Sequence, residues 1–131
     1  MKKSETIKVG ISVGDINGIG IEIILKTFED SRMLELCTPI IFASNKALST
    51  HKKELNIHTQ THGVDSVSKC LSNKVNLVNI WKEQIAIEFG KETKDGGKYA
   101  FLSLQAAINA LNRNEIDVLV TAPINKHNIQ S

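Results

Sequence analysis

The sequence predicts an α/β protein built on a mainly parallel sheet flanked by helices. Short apolar runs, typical of buried strands, alternate along the 131 residues with segments of helical period, as in βαβ units. Two of these runs lead directly into polar stretches, at residues 14–20 and 121–126. Ligands of parallel sheets bind beyond the carboxyl ends of the strands, so these two stretches are the predicted sites of chemistry.

Five short segments are predicted as strands. The first is an apolar run that ends at Gly14 and Asp15, where the chain must turn. The third, at residues 56–60, is the least regular of the five. The full set comprises residues 7–13, 38–44, 56–60, 75–80 and 117–121.

Helices are predicted where apolar residues recur at intervals of three and four. One begins at Gly20, and a second, capped by Ser44 or Asn45, extends to about residue 55, because a short polar side chain accepts from the free amides of the first turn. Residues 64–72 are predicted as a short helix, 81–97 as an irregular segment with an exposed loop at 91–98, and 99–112 as a long helix. The apolar stripes comprise Ile21, Ile24, Leu25 and Phe28 in the first helix, and Phe101, Leu104, Ile108 and Leu111 in the long one.

Composition excludes several classes of partner. The net charge of +2 is too small to indicate binding to nucleic acid or to an anionic membrane, and aromatic residues make up only 5%. No run approaches the roughly 20 apolar residues that span a bilayer. Cys37 and Cys70 lack metal-ligand spacing, so we expect reduced thiols in apolar segments and a cytoplasmic location.

The stretch GDINGIG, residues 14–20, leaves two interpretations open. Its glycines permit either a tight strand-to-helix turn or a close approach of the backbone to a ligand. The dinucleotide fingerprint GxGxxG fails, because Ile23 stands at the third glycine position, and no lysine follows to complete a P-loop. If the stretch is a substrate loop, Asp15 and Asn17 are the polar groups that face the cleft.

The stretch VTAPINK, residues 120–126, follows the fifth predicted strand. Pro123 stiffens the exit from the strand, so that Thr121, Asn125 and Lys126 can converge on a polar ligand. The Lys126 ammonium suits a phosphate or a carboxylate. The alternative is an ordinary turn with a solvated lysine.

The histidines do not form a convincing metal site. Two of the four, His58 and His62, are four residues apart, but their segment is predicted as strand and turn. Imidazoles without a carboxylate or cysteine partner make a weak site. All four are therefore predicted to be surface residues, namely His51, His58, His62 and His127.

Together, GDINGIGIE and VTAPINK resemble two signature elements of the 4-hydroxythreonine-4-phosphate dehydrogenase family. The family pattern of the first is GDPAGIGPE, and the second matches almost letter for letter. The resemblance extends from about residue 8 to residue 131. Ile16, Asn17 and Ile21 depart from the pattern, at positions that shape the turn.

The resemblance implies a fold similar to that of isocitrate and isopropylmalate dehydrogenases, present here only in part. It implies NAD-dependent oxidation of a small phosphorylated amino acid, 4-phosphooxy-L-threonine, to a 3-oxo acid that decarboxylates to 3-amino-2-oxopropyl phosphate. It further implies a homodimer and a divalent metal (Zn, Mg, Mn or Co) held by histidines. Lys126 is the expected catalytic residue, and the expected substrate-side residues are Asp15, Asn17, Thr121 and Asn125.

In this family a GHTE element, the metal ligands and most of the cofactor site follow the second signature. Residues 1–131 therefore resemble the N-terminal part of one dehydrogenase subunit, with those groups expected beyond Ser131. The isolated 131 residues are expected to be inactive. Two alternatives stay open, namely an acyltransferase of the phosphotransacetylase type, which would need coenzyme A, and a non-catalytic binding or dimerisation module with an exposed apolar face.

Overall fold

The computed structural model describes residues 6–81, 87–89, 91 and 93–122. The strands are β1 (Ile7–Ser12), β2 (Cys37–Ala43), β3 (His62–Val64), β4 (Asn76–Asn79) and β5 (Val118–Thr121). The helices are α1 (Gly20–Thr27), α2 (Met33–Leu36), α3 (Asn45–Leu55) and α4 (Lys94–Asn112). All strand pairs are parallel and the sheet order is β3-β4-β2-β1-β5, which confirms the predicted fold class.

The sheet is covered on both faces, because successive side chains of a strand point to opposite sides. Ile11, Ile41 and Leu77 belong to one buried cluster, which contains the apolar residues of α1 and α3. Ile40 and Phe42, their neighbours in sequence, belong to a second cluster with α4. The central strands β2 and β4 are therefore buried on both sides, as their continuous apolar runs predict, whereas Val118 and Val120 of the edge strand β5 are exposed.

Helix α3 has both of its expected ends. The Ser44 side chain accepts from the backbone N–H of Ala47 at 3.1 Å, which confirms the predicted cap. The helix ends at Asn56, whose φ of 54° lies in the left-handed region that asparagine tolerates.

Helix α4 begins five residues earlier than predicted, at Lys94 rather than residue 99. The Thr93 hydroxyl caps it by accepting from the backbone N–H of Gly96 at 2.9 Å. Gly96 and Gly97 are buried within the first turn, so the exposed loop predicted around them is wrong there. Several other residues of the segment predicted as irregular lie outside the described residues.

The apolar stripe predicted for α4 is also wrong. Phe101 is 52% exposed and Ile108 is 40% exposed, while Leu104 and Leu111 are half-buried. Small residues face the sheet instead, because the helix packs closely on the strands. The buried Ser103 hydroxyl donates to the Phe42 carbonyl at 2.5 Å and accepts from the backbone N–H of Val13 at 3.0 Å. The buried positions of α4 past its first turn are Tyr99, Ala100, Ser103, Ala107 and Ala110.

The third strand lies later than predicted. Residues 56–60 are not part of the sheet, and β3 occupies His62–Val64. The Thr59 hydroxyl donates to the Leu25 carbonyl at 2.6 Å, which ties this segment to α1 rather than to a strand. The short helix predicted at 64–72 is only a 3-10 turn at Val67–Lys69.

Cys37 and Cys70 are both free and half-buried. Burial raises the pKa of each thiol, that of Cys70 to about 11, so both stay protonated at neutral pH. None of the helices in the described part of the chain has the length and apolar character needed to cross a membrane.

The close packing of α4 can be tested by enlarging one of its buried small residues. Ala107→Leu should lower the free energy of unfolding by about 1–3 kcal/mol, because a well-packed interface has no room for three more carbons. Gln105→Leu, on the exposed side of the same helix, is the matched control and should change it by less than about 0.5 kcal/mol. Urea unfolding measures both. Equal effects of the two variants would contradict the packing described here.

Candidate functional site

The sheet order places the carboxyl ends of β1 and β5 side by side. The chain runs from β1 to β2 on one side and later returns through α4 to β5 on the other, so the order reverses at β1. Ser12 and Thr121 are register partners, and the N–H of Ala122 donates to the Ser12 carbonyl at 2.9 Å. The loops after β1 and β5 therefore leave the sheet next to each other, at the switch point where open α/β sheets bind ligands.

The loop after β1 is a tight turn with its own hydrogen bonds. Gly14 has a φ of 70°, which favours glycine. The Asp15 carboxylate accepts from the backbone N–H of Asn17 at 2.9 Å, and the Asp15 carbonyl accepts from that of Gly18 at 3.0 Å. An aspartate that bonds the backbone two residues later stabilises a turn without any ligand.

Gly20 has a packing role at the start of α1. A Cβ at this position would lie 2.5 Å from the Val13 carbonyl oxygen and 3.0 Å from Cβ of Ala122. Only glycine lets the helix pack this closely against the ends of β1 and β5. Backbone geometry thus accounts for Gly14 and Gly20, whichever of the two interpretations of the stretch holds.

Asn17 links the turn to the segment before α4. Its side-chain Nδ2 donates to the Thr93 hydroxyl at 2.8 Å, and its Oδ1 accepts from the backbone N–H of Glu88 at 2.8 Å. The residue is buried, so these protein groups replace water as the partners of its amide. Asn17 therefore shapes the loop through contacts within the protein.

Asp15 lies against the first turn of α4. A Cβ on Gly96 would lie 2.5 Å from Oδ1 of Asp15 and 3.1 Å from Nδ2 of Asn17. The carboxylate therefore sits at the amino end of a 19-residue helix, where the helix dipole favours a negative charge. Thr93 and Gly96 are not among the predicted site residues. The sequence does contain a signal for the start of this helix, because a threonine is followed by an acidic residue in the first helical turn.

The imidazole of His51 contacts the same turn. The prediction that His51 lies at the surface is wrong. The residue is fully buried on α3, and its Nε2 donates to the Ile16 carbonyl at 2.7 Å. Its ring contacts that of Phe89 edge-on, with centroids 4.8 Å apart. The signal for burial was present, because Ala47, Leu48 and His51 share one face of a helix. Of the other histidines, His58 is exposed and His62 half-buried.

Thr121 ends the edge strand β5 and is exposed. Asn125 and Lys126, like Pro123 and His127, lie outside the described residues. The expected roles of Lys126, Asp15, Asn17, Thr121 and Asn125 toward a substrate stay predictions. Within the described ranges, no group of three or more His, Cys, Asp or Glu residues is placed to hold a metal ion.

This architecture defines a class, that of open parallel α/β domains, whose ligands bind at the switch point of the sheet. Residues 35–131 match the sequence model of the family described as "Pyridoxal phosphate biosynthetic protein PdxA". The match covers well over half of the chain, and the chain belongs to this family.

Individual relatives agree with the family match. The chain is 46% identical over 125 residues to a 4-hydroxythreonine-4-phosphate dehydrogenase of Bacteroides thetaiotaomicron, an alignment that covers 95% of this chain and 34% of that protein. It is 26% identical to a Fusobacterium nucleatum protein named provisionally as a D-threonate 4-phosphate dehydrogenase, across 95% of this chain and 38% of that one. The chain thus spans about a third of the length of these curated relatives.

A solved structure shows the same fold. The crystal structure of a 4-hydroxythreonine-4-phosphate dehydrogenase from Burkholderia phymatum superimposes with a TM-score of 0.87 at 19% identity. The superposition covers 97% of this chain and 39% of that one. At this identity the likeness concerns the fold alone.

The contact between Asp15 and α4 predicts that adding a methyl group at Gly96 destabilises the protein. Gly96→Ala should lower the free energy of unfolding by about 1–3 kcal/mol, because the new Cβ meets the Asp15 carboxylate. A glycine-to-alanine change inside a helix otherwise stabilises by up to about 1 kcal/mol. Urea unfolding is the measurement, with Lys94→Ala, an exposed position in the same turn, as control. A more stable Gly96→Ala variant would contradict the contact.

Burial of His51 predicts a pH-dependent stability. Burial lowers the pKa of His51 from its usual 6.5, against smaller opposing effects of the Ile16 carbonyl and the Glu22 carboxylate. The unfolded chain then binds the proton more readily, so the stabilisation is complete above pH 6.5 and declines as the pH falls toward the pKa of the folded state.

The measurement is urea unfolding at several pH values from about 7 to about 5, the range that brackets an ordinary histidine pKa. Wild type should lose more stability over this range than His51→Gln, which has no titrating group there. His58→Gln, at an exposed histidine, should follow wild type. Identical pH profiles of wild type and His51→Gln would contradict the burial of a neutral imidazole.

Proposed function

We propose that the protein, at its natural length, is an NAD-dependent dehydrogenase of pyridoxal phosphate biosynthesis. It oxidises the secondary hydroxyl of 4-phosphooxy-L-threonine, and the resulting 3-oxo acid loses carbon dioxide to give 3-amino-2-oxopropyl phosphate. One observation carries the proposal. A chain 46% identical to a 4-hydroxythreonine-4-phosphate dehydrogenase holds its GDINGIG turn at the switch point of the sheet, beside the end of β5.

The proposed roles follow from the chemistry of the substrate. Its phosphate and carboxylate need a cation, and the alkoxide that develops during hydride transfer is stabilised by a positive charge. Lys126, five residues after the end of β5 in the sequence, supplies that charge, and Thr121 and Asn125 contribute polar contacts to the substrate. Asp15 orients the ammonium group of the substrate or a lysine. Asn17 acts indirectly, since its amide is already bonded to Thr93 and Glu88.

The described residues do not fit the divalent metal that the family resemblance implies. They offer no cluster of three ligating side chains, so no step of the reaction is assigned to a metal here. We propose that the metal (Zn, Mg, Mn or Co) and the nicotinamide are held by residues outside these 131. The proposal also includes a homodimer in the cytoplasm, with a small phosphorylated substrate as the ligand and neither nucleic acid nor membrane as partner.

The absence of the GxGxxG pattern supports the proposal that the nicotinamide is bound elsewhere and that the GDINGIG turn serves the substrate. The loop after β1 is closed by its own hydrogen bonds and by the approach of Gly20 to Val13. Such a closed turn, with Asp15 and Asn17 buried, is not an open cradle for a pyrophosphate. A substrate-side role therefore suits it better than a dinucleotide-binding role.

Steady-state kinetics at natural protein length test the function and the role of Lys126 together. Wild type should reduce NAD when 4-phosphooxy-L-threonine and a divalent metal are supplied. Lys126→Ala should lower kcat/KM by about 100-fold, the order expected for losing one charge-stabilising group. Lys53→Ala, at an exposed position of α3, is the control and should leave kcat/KM unchanged.

Other outcomes of the same assay are also informative. Wild-type kinetics in Lys126→Ala would remove that residue from the site. Activity only with a related phosphorylated hydroxy acid would change the substrate and keep the class. Acyl transfer between phosphate and coenzyme A without NAD would favour the acyltransferase alternative. NAD reduction by the isolated 131 residues would contradict the proposal that the nicotinamide and metal sites lie elsewhere.

A further inference from the structure

His51 is a buried polar residue that the proposed chemistry does not use. It lies on α3, outside both signature stretches, and no part of its side chain is exposed. Its Nε2 lies 2.7 Å from the carbonyl oxygen of Ile16, the central residue of the Asp15–Asn17 turn. A carbonyl only accepts, so Nε2 carries the proton and Nδ1 holds a lone pair.

The surroundings of the imidazole satisfy only one of its two ring nitrogens. Nδ1 is buried and has no hydrogen-bond partner among the residues that the structure describes. The nearest ring is that of Phe89, an apolar neighbour. Burying an unbonded nitrogen is unfavourable, and an apolar side chain of similar size would avoid that penalty. What the imidazole provides at this position, and an apolar side chain could not, is the Nε2–H bond to Ile16.

We propose that His51 is a positioning residue, whose Nε2–H holds the Ile16 carbonyl and thereby sets the Asp15–Asn17 turn in the geometry that the phosphorylated hydroxy-acid substrate meets. The inference rests on the proposed function for its substrate, while the contact itself is a property of the fold.

The turn is held from two other directions. Asn17 is bonded to Glu88 and Thr93, and the Asp15 carboxylate is fixed against the start of α4. These contacts hold the two residues that flank Ile16 and leave its carbonyl to His51. The Ile16 side chain is fully buried in the core, so loss of the donor would free the orientation of the Ile16 peptide group while the rest of the protein stays folded. A displacement of about 1 Å in a positioning group can cost on the order of 100-fold in rate.

The test compares two polar replacements at natural protein length. Glutamine places an N–H donor close to the position of Nε2, whereas asparagine is too short to reach the Ile16 carbonyl. His51→Gln should therefore keep most of the wild-type kcat/KM for 4-phosphooxy-L-threonine, and His51→Asn should lose about 10- to 100-fold. His58→Asn, at an exposed histidine, is the control and should match wild type.

Hydrogen exchange provides a readout that needs no activity. In His51→Asn, but not in His51→Gln, a peptide covering residues 13–19 should exchange faster than in wild type, while a peptide from α4 keeps its rate. Equal kinetics and equal exchange in the two variants would overturn the positioning role, as would a loss in both that follows only their stability. If wild type does not turn over the substrate, the proposed function fails, and the exchange data alone still decide whether His51 holds the turn.

Discussion

Both polar ends of the Asn17 side chain are bonded to groups more than 70 residues further along the chain, at Glu88 and Thr93. The position of the turn after β1 relative to α4 depends on this pair of hydrogen bonds. A buried amide that lost either partner would leave unsatisfied groups in a site with little water to replace them. Because Thr93 also caps α4, the same contact couples the loop after β1 to the start of that helix.

The close packing of the turn against α1 and α4 explains the glycines of the site. Gly14 adopts a left-handed conformation, Gly20 lets α1 approach β1, and Gly96 leaves room for the Asp15 carboxylate. Each serves a turn or a close contact between elements. A glycine-rich stretch after a first strand is therefore no evidence of a nucleotide site by itself, and here the spacing of the glycines already argued against one.

Most of the sheet could be predicted from the sequence, because buried parallel strands are apolar on both faces. The strands β1, β2 and β4 have this pattern, and the edge strand β5 is apolar in sequence although Val118 and Val120 are exposed. The edge strand β3 does not, since it is only three residues long and contains Gly63. Its pairing with β4 depends on tertiary contacts that no local pattern carries.

The errors in α4 and at His51 have a common physical origin. The sequence pattern predicts large apolar residues in the core, but α4 packs so closely on the strands, through Ser103, that small side chains such as Ala107 face the sheet. His51 is predicted at the surface because the histidines form no convincing metal site, although the apolar face of α3 extends to it. Both positions are decided by the space between elements, and composition and periodicity do not measure that space.

The central claim is that the crevice between the ends of β1 and β5 receives the substrate. The most direct test is a crystal structure, at natural protein length, with 4-phosphooxy-L-threonine bound. The substrate should lie beside residues 14–18 and the stretch that follows β5, with its phosphate or carboxylate near Lys126. A substrate bound further along the same carboxyl end of the sheet, beside Asn45 and Asn79 at the ends of β2 and β4, would contradict this placement.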